Sequence, residues 1–327
     1  MNDGIKLGLI GTGRWGQAYL RTIAELPEAC ELSHVCCRHP EQAGQFPSTA
    51  EVVTGWRAVV GSSCDAVIIA TPPDTHAEIL TACLEAGKPC LVEKPLCLDV
   101  ATAQRLHQLV VESRVPVLVG HTQLFHPAYE TLQRCLRDRG ETARVIFSEG
   151  MAFGPFRRHT TALWDWAPHD VSLCLDVVGC APAGVSALGG PTDPQGIPEM
   201  ASIRLEFANG PTAWIHTGRL STDKRRRLTV ITDRHLYIMD DLASDPLTVA
   251  SFHYPQRYEE TEVELLKVAA LKPVSTERPL TRMLAYFLNG LRGGDQRRFG
   301  TALAVEVVRV LTACEVAMHS SRKELNP

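Results

Sequence analysis

Leu7-Gly8-Leu9-Ile10-Gly11-Thr12-Gly13-Arg14-Trp15-Gly16 decides the fold of the first third of the chain. An apolar β-type run ends in three glycines at the spacing G-x-G-x-x-G, and a helical pattern follows at once. The first glycine permits a tight turn, the second lets a phosphate approach the backbone, and the third lets the helix pack on the strand. The helix N-terminus adds unpaired N–H groups and the positive end of its dipole. Gly11, Thr12, Gly13, Arg14, Trp15 and Gly16 are therefore expected to hold the pyrophosphate of a dinucleotide. A bare glycine turn is the alternative, and the strand before and helix after argue against it.

Working outward, β-type runs at 5–10, 32–37, 66–70, 90–93 and 117–119 alternate with helical patterns at 13–26, 76–86 and 101–113. That alternation predicts a parallel sheet with crossover helices, an α/β doubly wound domain over 1–120. After 121 the pattern changes. A helix at 127–138 precedes strand-like runs at 143–152, 200–207, 212–219, 228–232 and 235–240, with a turn at Asn209-Gly210 and a closing helix at 302–318. The expectation for 121–327 is an α+β domain on a mostly antiparallel open sheet.

Composition narrows the partners. Of 327 residues, 45% are hydrophobic and 21% charged, with a net charge of -4, so neither nucleic acid nor an anionic membrane is an expected partner. A small molecule is. Eleven cysteines, two of them adjacent at Cys36-Cys37, suit reduced thiols, and no His/Cys cluster has metal-ligand spacing, so no metal is expected. No basic, apolar leader pattern opens the chain, and no apolar run approaches the roughly 20 residues of a membrane span. The expected location is cytoplasmic.

The residue that would grip an adenosine ribose 2′-hydroxyl belongs at the end of the second strand, where a carboxylate excludes a 2′-phosphate. Cys37 stands there, followed by Arg38 and His39. A guanidinium can meet a phosphate, so NADP is expected in preference to NAD; Arg38 stacking on adenine or lying in solvent is the alternative.

Lys94 follows Cys90-Leu91-Val92-Glu93 at the carboxyl end of a parallel strand, facing the crevice where open α/β sheets bind ligands. Its ammonium can polarise a substrate oxygen that moves between hydroxyl and carbonyl. A structural pair with Glu93 is the plainer alternative. Thr71-Pro72-Pro73 makes a rigid loop at the same edge, able to lie along a cofactor. Farther on, Asp165 and His169 stand four apart, sharing a face if helical, and His169 can exchange a hydroxyl proton while Asp165 orients it. Proline disfavours a helical Ala167, so the helix is expected to begin near Pro168, with Asp170 as a competing carboxylate.

These four ordered motifs, Gly11 to Gly16, Ala70-Thr71-Pro72-Pro73-Asp74-Thr75-His76, Glu93-Lys94-Pro95 and Asp165-x-x-x-His169, resemble the Gfo/Idh/MocA family of oxidoreductases over nearly the whole chain. The resemblance implies a Rossmann domain, a second domain whose open sheet mediates homodimers or homotetramers, and reversible oxidation of a sugar or cyclitol hydroxyl. It implies a trio of Lys94, Asp165 and His169, and cofactor contacts from Thr71, Pro72, His76 and Glu93; His76 reads equally well as a helix N-terminal residue. The family often has glycine where Pro168 stands, and arginine and asparagine where Leu124 and His126 stand, which leaves the substrate open. His121, Gln123 and Trp164 are expected to meet it, with Arg157-Arg158-His159 near a loop over the site, while His126 also reads as a helix cap. Lys224-Arg225-Arg226-Arg227 reads first as a solvated face, second as a diphosphate contact. A lyase or glycosidase-like enzyme that retains its cofactor, and a non-catalytic sensor, are the competing functions.

Overall fold

The computed structural model describes residues 4–38, 46–156, 160–208, 210–252 and 267–325. In the first part β1 (Ile5–Ile10), α1 (Arg14–Ala24), β2 (Cys30–Cys36), β3 (Glu51–Val53), α2 (Trp56–Val60), β4 (Ala66–Ile69), α3 (His76–Glu85), β5 (Cys90–Glu93), α4 (Val100–Ser113) and β6 (Val117–Gly120) follow one another. All strand pairs are parallel, in the order β3-β2-β1-β4-β5-β6, the doubly wound arrangement expected. Every residue of β4, β5 and β6 is buried, which is why these strands read as apolar runs, with Glu93 at the end of β5 as the exception. The short β3 and the five-residue α2 carried too little pattern to be expected.

The second part runs α5 (Pro127–Arg139), β7 (Val145–Phe153), α6 (Ala162–Val178), β8 (Gly184–Gly189), β9 (Met200–Glu206), β10 (Thr212–Gly218), β11 (Leu220–Ile231), β12 (His235–Asp240), β13 (Leu247–Ser251) and β14 (Val268–Ala270), then α7 (Pro279–Leu291) and α8 (Ala302–Leu325). Eight strands form one sheet, β14-β13-β12-β11-β7-β10-β9-β8, antiparallel except for the β7/β10 pair. α5 and α6 pack on one face. β9 and β10 pair as the expected hairpin; Asn209, half of its turn signal, lies outside the described residues.

Two compact units result, Met1–Thr122 with Arg278–Arg309, and Gln123–Glu277 with Val310–Pro327. The first division falls two residues past the expected one, and α7 groups with the first unit, outside the expected boundaries. α7 packs on α1, and Arg278 and Thr281 both meet Glu25 of that unit. Its apolar Leu280, Met283, Leu284, Phe287 and Leu288 follow helical spacing and are buried.

α6 corrects one expectation. The helix starts at Ala162 behind the cap Thr161 and runs through Pro168 to Val178, rather than beginning near Pro168. Proline costs the helix one hydrogen bond, to the Trp164 carbonyl, but the residues on either side are buried, and α6 packs against β7, β9 and β10. Tertiary burial overrides the local preference. At α5, His126 caps the helix: the Ala128 amide donates to Nδ1 at 3.1 Å, so the ring hydrogen sits on Nε2 and donates to Asp241 at 2.8 Å. That bond holds the Asp241 carboxyl below the usual range against burial. His126→Ala should lower stability by about 1–2 kcal/mol in urea denaturation. His126→Asn, which keeps a capping oxygen, should recover about half of that loss.

Candidate active site

In the first unit, Gly11, Thr71, Lys94 and His121 each lie at or just past the carboxyl end of a strand, of β1, β4, β5 and β6, and these strands are neighbours. Parallel direction alone puts the four on one rim. Gly11 has φ 99°, and a Cβ there would lie 2.7 Å from the Ala70 carbonyl; at Gly16 it would strike the Gly11 carbonyl. The fold itself demands those two glycines. Around Gly13, by contrast, a Cβ would meet nothing within 4 Å, so the protein does not require glycine there. Gly13 is also the N-cap of α1 and offers no capping side chain, and the first turn holds no acidic residue. Open space beside uncapped N–H groups fits a pyrophosphate. Arg14 is exposed and Trp15 half-buried at the same turn.

The Thr12 hydroxyl donates to the Cys37 sulfur at 3.5 Å, joining the glycine loop to the end of β2. Cys37 is buried and Arg38 exposed; His39 lies outside the described residues. His76 is fully buried, with Nδ1 2.9 Å from the Pro95 carbonyl and Nε2 2.9 Å from that of Thr71. Each ring nitrogen faces a carbonyl, one in the Thr71-Pro72 loop and one in the Lys94-Pro95 loop, and the neutral ring donates to one of the two. Burial lowers the pKa of the ring, against the pull of the surrounding carbonyls.

Lys94 and His121 are buried. Glu93 is buried too and accepts from the Tyr19 hydroxyl at 2.7 Å and from the Lys94 amide at 3.2 Å. Desolvation pushes its carboxyl up to about 7, against both hydrogen bonds and the Lys94 charge. The Tyr19 hydroxyl is pushed well above its ordinary value for the same reason. No sequence signal singled out Tyr19, whose partner lies 74 residues away.

In the second unit, Asp165 and His169 share α6 four residues apart, Asp165 half-buried and His169 buried. Asp170 anchors the helix to the sheet: Ser148 of β7 donates to Oδ1 at 2.7 Å and Thr217 of β10 to Oδ2 at 3.3 Å. Burial raises its pKa, opposed first by the charge of Arg226. His169, Asp170, Gln123, Arg226 and Asp241 line one small cavity. Trp164, expected to meet the substrate, is buried, with its indole N–H donating to Glu315 at 2.7 Å. Arg157, Arg158 and His159 lie outside the described residues. A buried ion pair between Arg219 and Glu199 also went unforeseen, because its partners come from segments with no shared motif.

Fold and site define a dinucleotide-binding protein of the Rossmann type, carrying an open-sheet second unit. Residues 5–121 match the oxidoreductase family with an NAD-binding Rossmann fold, and residues 140–237 match the GFO/IDH/MocA C-terminal domain. The chain belongs to the Gfo/Idh/MocA family of oxidoreductases. A crystal structure of a Magnetospirillum magnetotacticum MS-1 protein is 38% identical with a TM-score of 0.84, covering 95% of this chain and 100% of that one. A UDP-N-acetylglucosamine 3-dehydrogenase of Acidithiobacillus ferrooxidans is 28% identical over 239 residues, 69% of this chain and 71% of that protein. An inositol 2-dehydrogenase of Rhizobium meliloti is 25% identical over 238 residues, 67% and 70% of the two chains. Among the described residues no group of His, Cys, Asp or Glu is placed to hold a metal, and no helix is long and apolar enough to cross a membrane.

Glu93 sets a pH dependence. The unfolded carboxyl ionises near 4.5, whereas the folded one keeps its proton to about 7, so the folded state binds more protons between these values and stability falls as pH rises through that window. Glu93→Gln should therefore lose little at pH 5 and gain on the wild type by pH 8, by on the order of 1–3 kcal/mol. Urea denaturation at both pH values checks this, and a pH-independent difference would contradict it.

Proposed function

We propose that this protein is a dehydrogenase interconverting a secondary alcohol and a ketone on a sugar, aminosugar or nucleotide-sugar-like substrate. The observation that supports it most is Lys94, a buried amine on the same strand-end rim as the glycine loop. Bound nicotinamide supplies or accepts the hydride. In this reading Gly11, Thr12, Gly13, Arg14, Trp15 and Gly16 hold the pyrophosphate, Thr71 and Pro72 lie along the cofactor, and Glu93 and His76 act by holding the loops that carry Lys94, Pro95 and Thr71. Lys94 donates to the reacting oxygen and stabilises its alkoxide character. His169 takes or returns the hydroxyl proton, Asp165 on the same helix supports it, and His121 and Gln123 meet substrate hydroxyls.

NADP is the preferred cofactor, because no carboxylate stands at Cys37 and the Arg38 side chain is exposed. The chain assembles as a homodimer or homotetramer through the sheet face that α5 and α6 leave uncovered. There Arg204, Trp214, Phe147, Thr229 and Ile238 follow one another in register across five strands, with Phe147 43% and Trp214 40% exposed. Eleven free cysteines, nine of them buried, fit a reducing cytoplasm.

Lys94→Ala should lower kcat/KM on the best substrate of a sugar and nucleotide-sugar panel by about 10²–10⁴-fold, while NADPH fluorescence titration stays within a few-fold. Unchanged turnover would sink the assignment. Arg38→Asp should raise KM for NADP by about 10-fold or more and leave that for NAD nearly unchanged, since it removes a charge-assisted contact and adds a repulsion. Equal effects on both cofactors would show that Arg38 does not read the 2′-phosphate.

A further inference from the structure

Tyr19 stands one helical turn past Gly16, and the buried face of α1 is made of Gly16, Tyr19, Thr22 and Ile23. Gly16 brings this face close to the strand ends, since a Cβ there would strike the Gly11 carbonyl. Tyr19 has no solvent exposure at all. Phenylalanine would fill nearly the same space, so it is the hydroxyl that needs a reason, because a buried hydroxyl is costly without a partner. Its partner is Glu93 Oε1, to which it donates at 2.7 Å.

Glu93 ends β5 in register with Gly120 of β6. Gly120 makes room for it, because a Cβ there would come within 3.3 Å of Oε1. On the other side β4 ends in apolar Ile69 and Ala70, and past Gly120 comes the buried His121. Tyr19 and Lys94 are the ionisable groups that bear on the carboxyl. Its second oxygen, Oε2, accepts from the Lys94 amide at 3.2 Å. One carboxyl thus joins the helix that opens at the glycine loop to the residue that follows β5. Glutamine would accept the same two hydrogen bonds in nearly the same volume. What it lacks is the charge, and a buried carboxylate is costly to form. Beside the buried Lys94 that charge has a use. The attraction is mutual: the lysine charge favours the ionised carboxyl, and the ionised carboxyl favours the ammonium. The Tyr19 hydroxyl favours the ionised carboxyl as well, against desolvation.

We propose that Tyr19 and Glu93 are positioning residues for Lys94: the phenol holds the carboxylate against the Lys94 backbone, and the carboxylate charge keeps the amine in the ammonium form. The proposal rests on the dehydrogenase reading above, which makes that ammonium the donor to the reacting oxygen. Neither residue touches the substrate in this arrangement. Both act through Lys94, Glu93 by its charge and its bond to the amide, and Tyr19 by its bond to Glu93.

Nuclear magnetic resonance of the full chain, isotope-labelled at the lysine ε-carbons and measured with and without NADP, tests this without turnover. The Lys94 signal is assigned by its loss in Lys94→Met. It should show a step at about 7, where Glu93 ionises. Tyr19→Phe should move that step up by about one pH unit, since it removes a donor to the carboxylate, and Glu93→Gln should abolish it. Each variant keeps the shape of the residue it replaces, and either one decides the matter. A Lys94 signal with the same pH dependence in all three proteins overturns the proposal. Turnover of the best sugar substrate supplies the second readout. Tyr19→Phe should lose about 3- to 10-fold in kcat/KM at pH 7 and regain it by about pH 9, whereas Glu93→Gln should stay low throughout. A loss in Tyr19→Phe by the same factor at every pH marks a structural defect and also overturns the proposal. A moving Lys94 step in a protein that turns over no sugar removes the dehydrogenase reading and leaves the charge pairing. Turnover with an unmoved step removes the positioning role alone.

Discussion

Six strands that all run the same way must all end on the same side, and this constraint organises the first unit. Each crossover helix returns the chain to the amino edge, so every loop leaving a strand enters the carboxyl edge, where no strand covers it. Gly11, Thr71, Lys94 and His121, scattered over 110 positions of sequence, become neighbours by strand order β1-β4-β5-β6 alone. Hydrogen bonds then hold the loops in register. His76 ties the Thr71 loop to Pro95, and Thr12 ties the glycine loop to Cys37. A residue whose polar atoms face neighbouring loops fixes those loops.

The second unit solves a different problem, since its sheet is mostly antiparallel and has no common edge to which strands deliver loops. Here one helix carries the polar groups. α6 is buried along most of its length, yet it bears Asp165, His169 and Asp170. A buried carboxylate on a helix is tolerated only with donors, and Asp170 finds them in Ser148 and Thr217 on two neighbouring strands. The same bonds fix the rotation of the helix, and hence the direction of His169, the preceding residue. Pro168 sits within this anchored stretch, which explains how the helix passes through it.

The motifs that were legible were those whose chemistry is local. Gly11 to Gly16 announces itself because strand, turn and helix are contiguous, and the runs of β4 to β6 because burial on both faces leaves them apolar but for Glu93 at the end of β5. His126 as a helix cap was legible for the same reason, since cap and amide are two residues apart. What was not legible lay in partners far apart in sequence. Tyr19 finds Glu93 across 74 residues, and Trp164 finds Glu315 across 151. α6 runs through Pro168 against the local preference of proline because packing decides there. α7 was overlooked although Pro279 at its first position and its spaced apolar residues gave the ordinary signals of a helix.

The two buried carboxyls, Glu93 and Asp170, show how similar residues are given different work. Burial raises both, but Asp170 receives two hydroxyl donors and the field of a guanidinium, whereas Glu93 receives one hydroxyl, one amide and the charge of its neighbour Lys94. Glu93 is left titrating at about 7, in the range where a cell works. When it ionises it places a buried negative charge one residue from Lys94, where it favours the ammonium form. When it is protonated that support is withdrawn. The carboxyl is therefore placed to act on the charge of Lys94, and Tyr19, by donating to the ionised form, lowers the pH at which it does so.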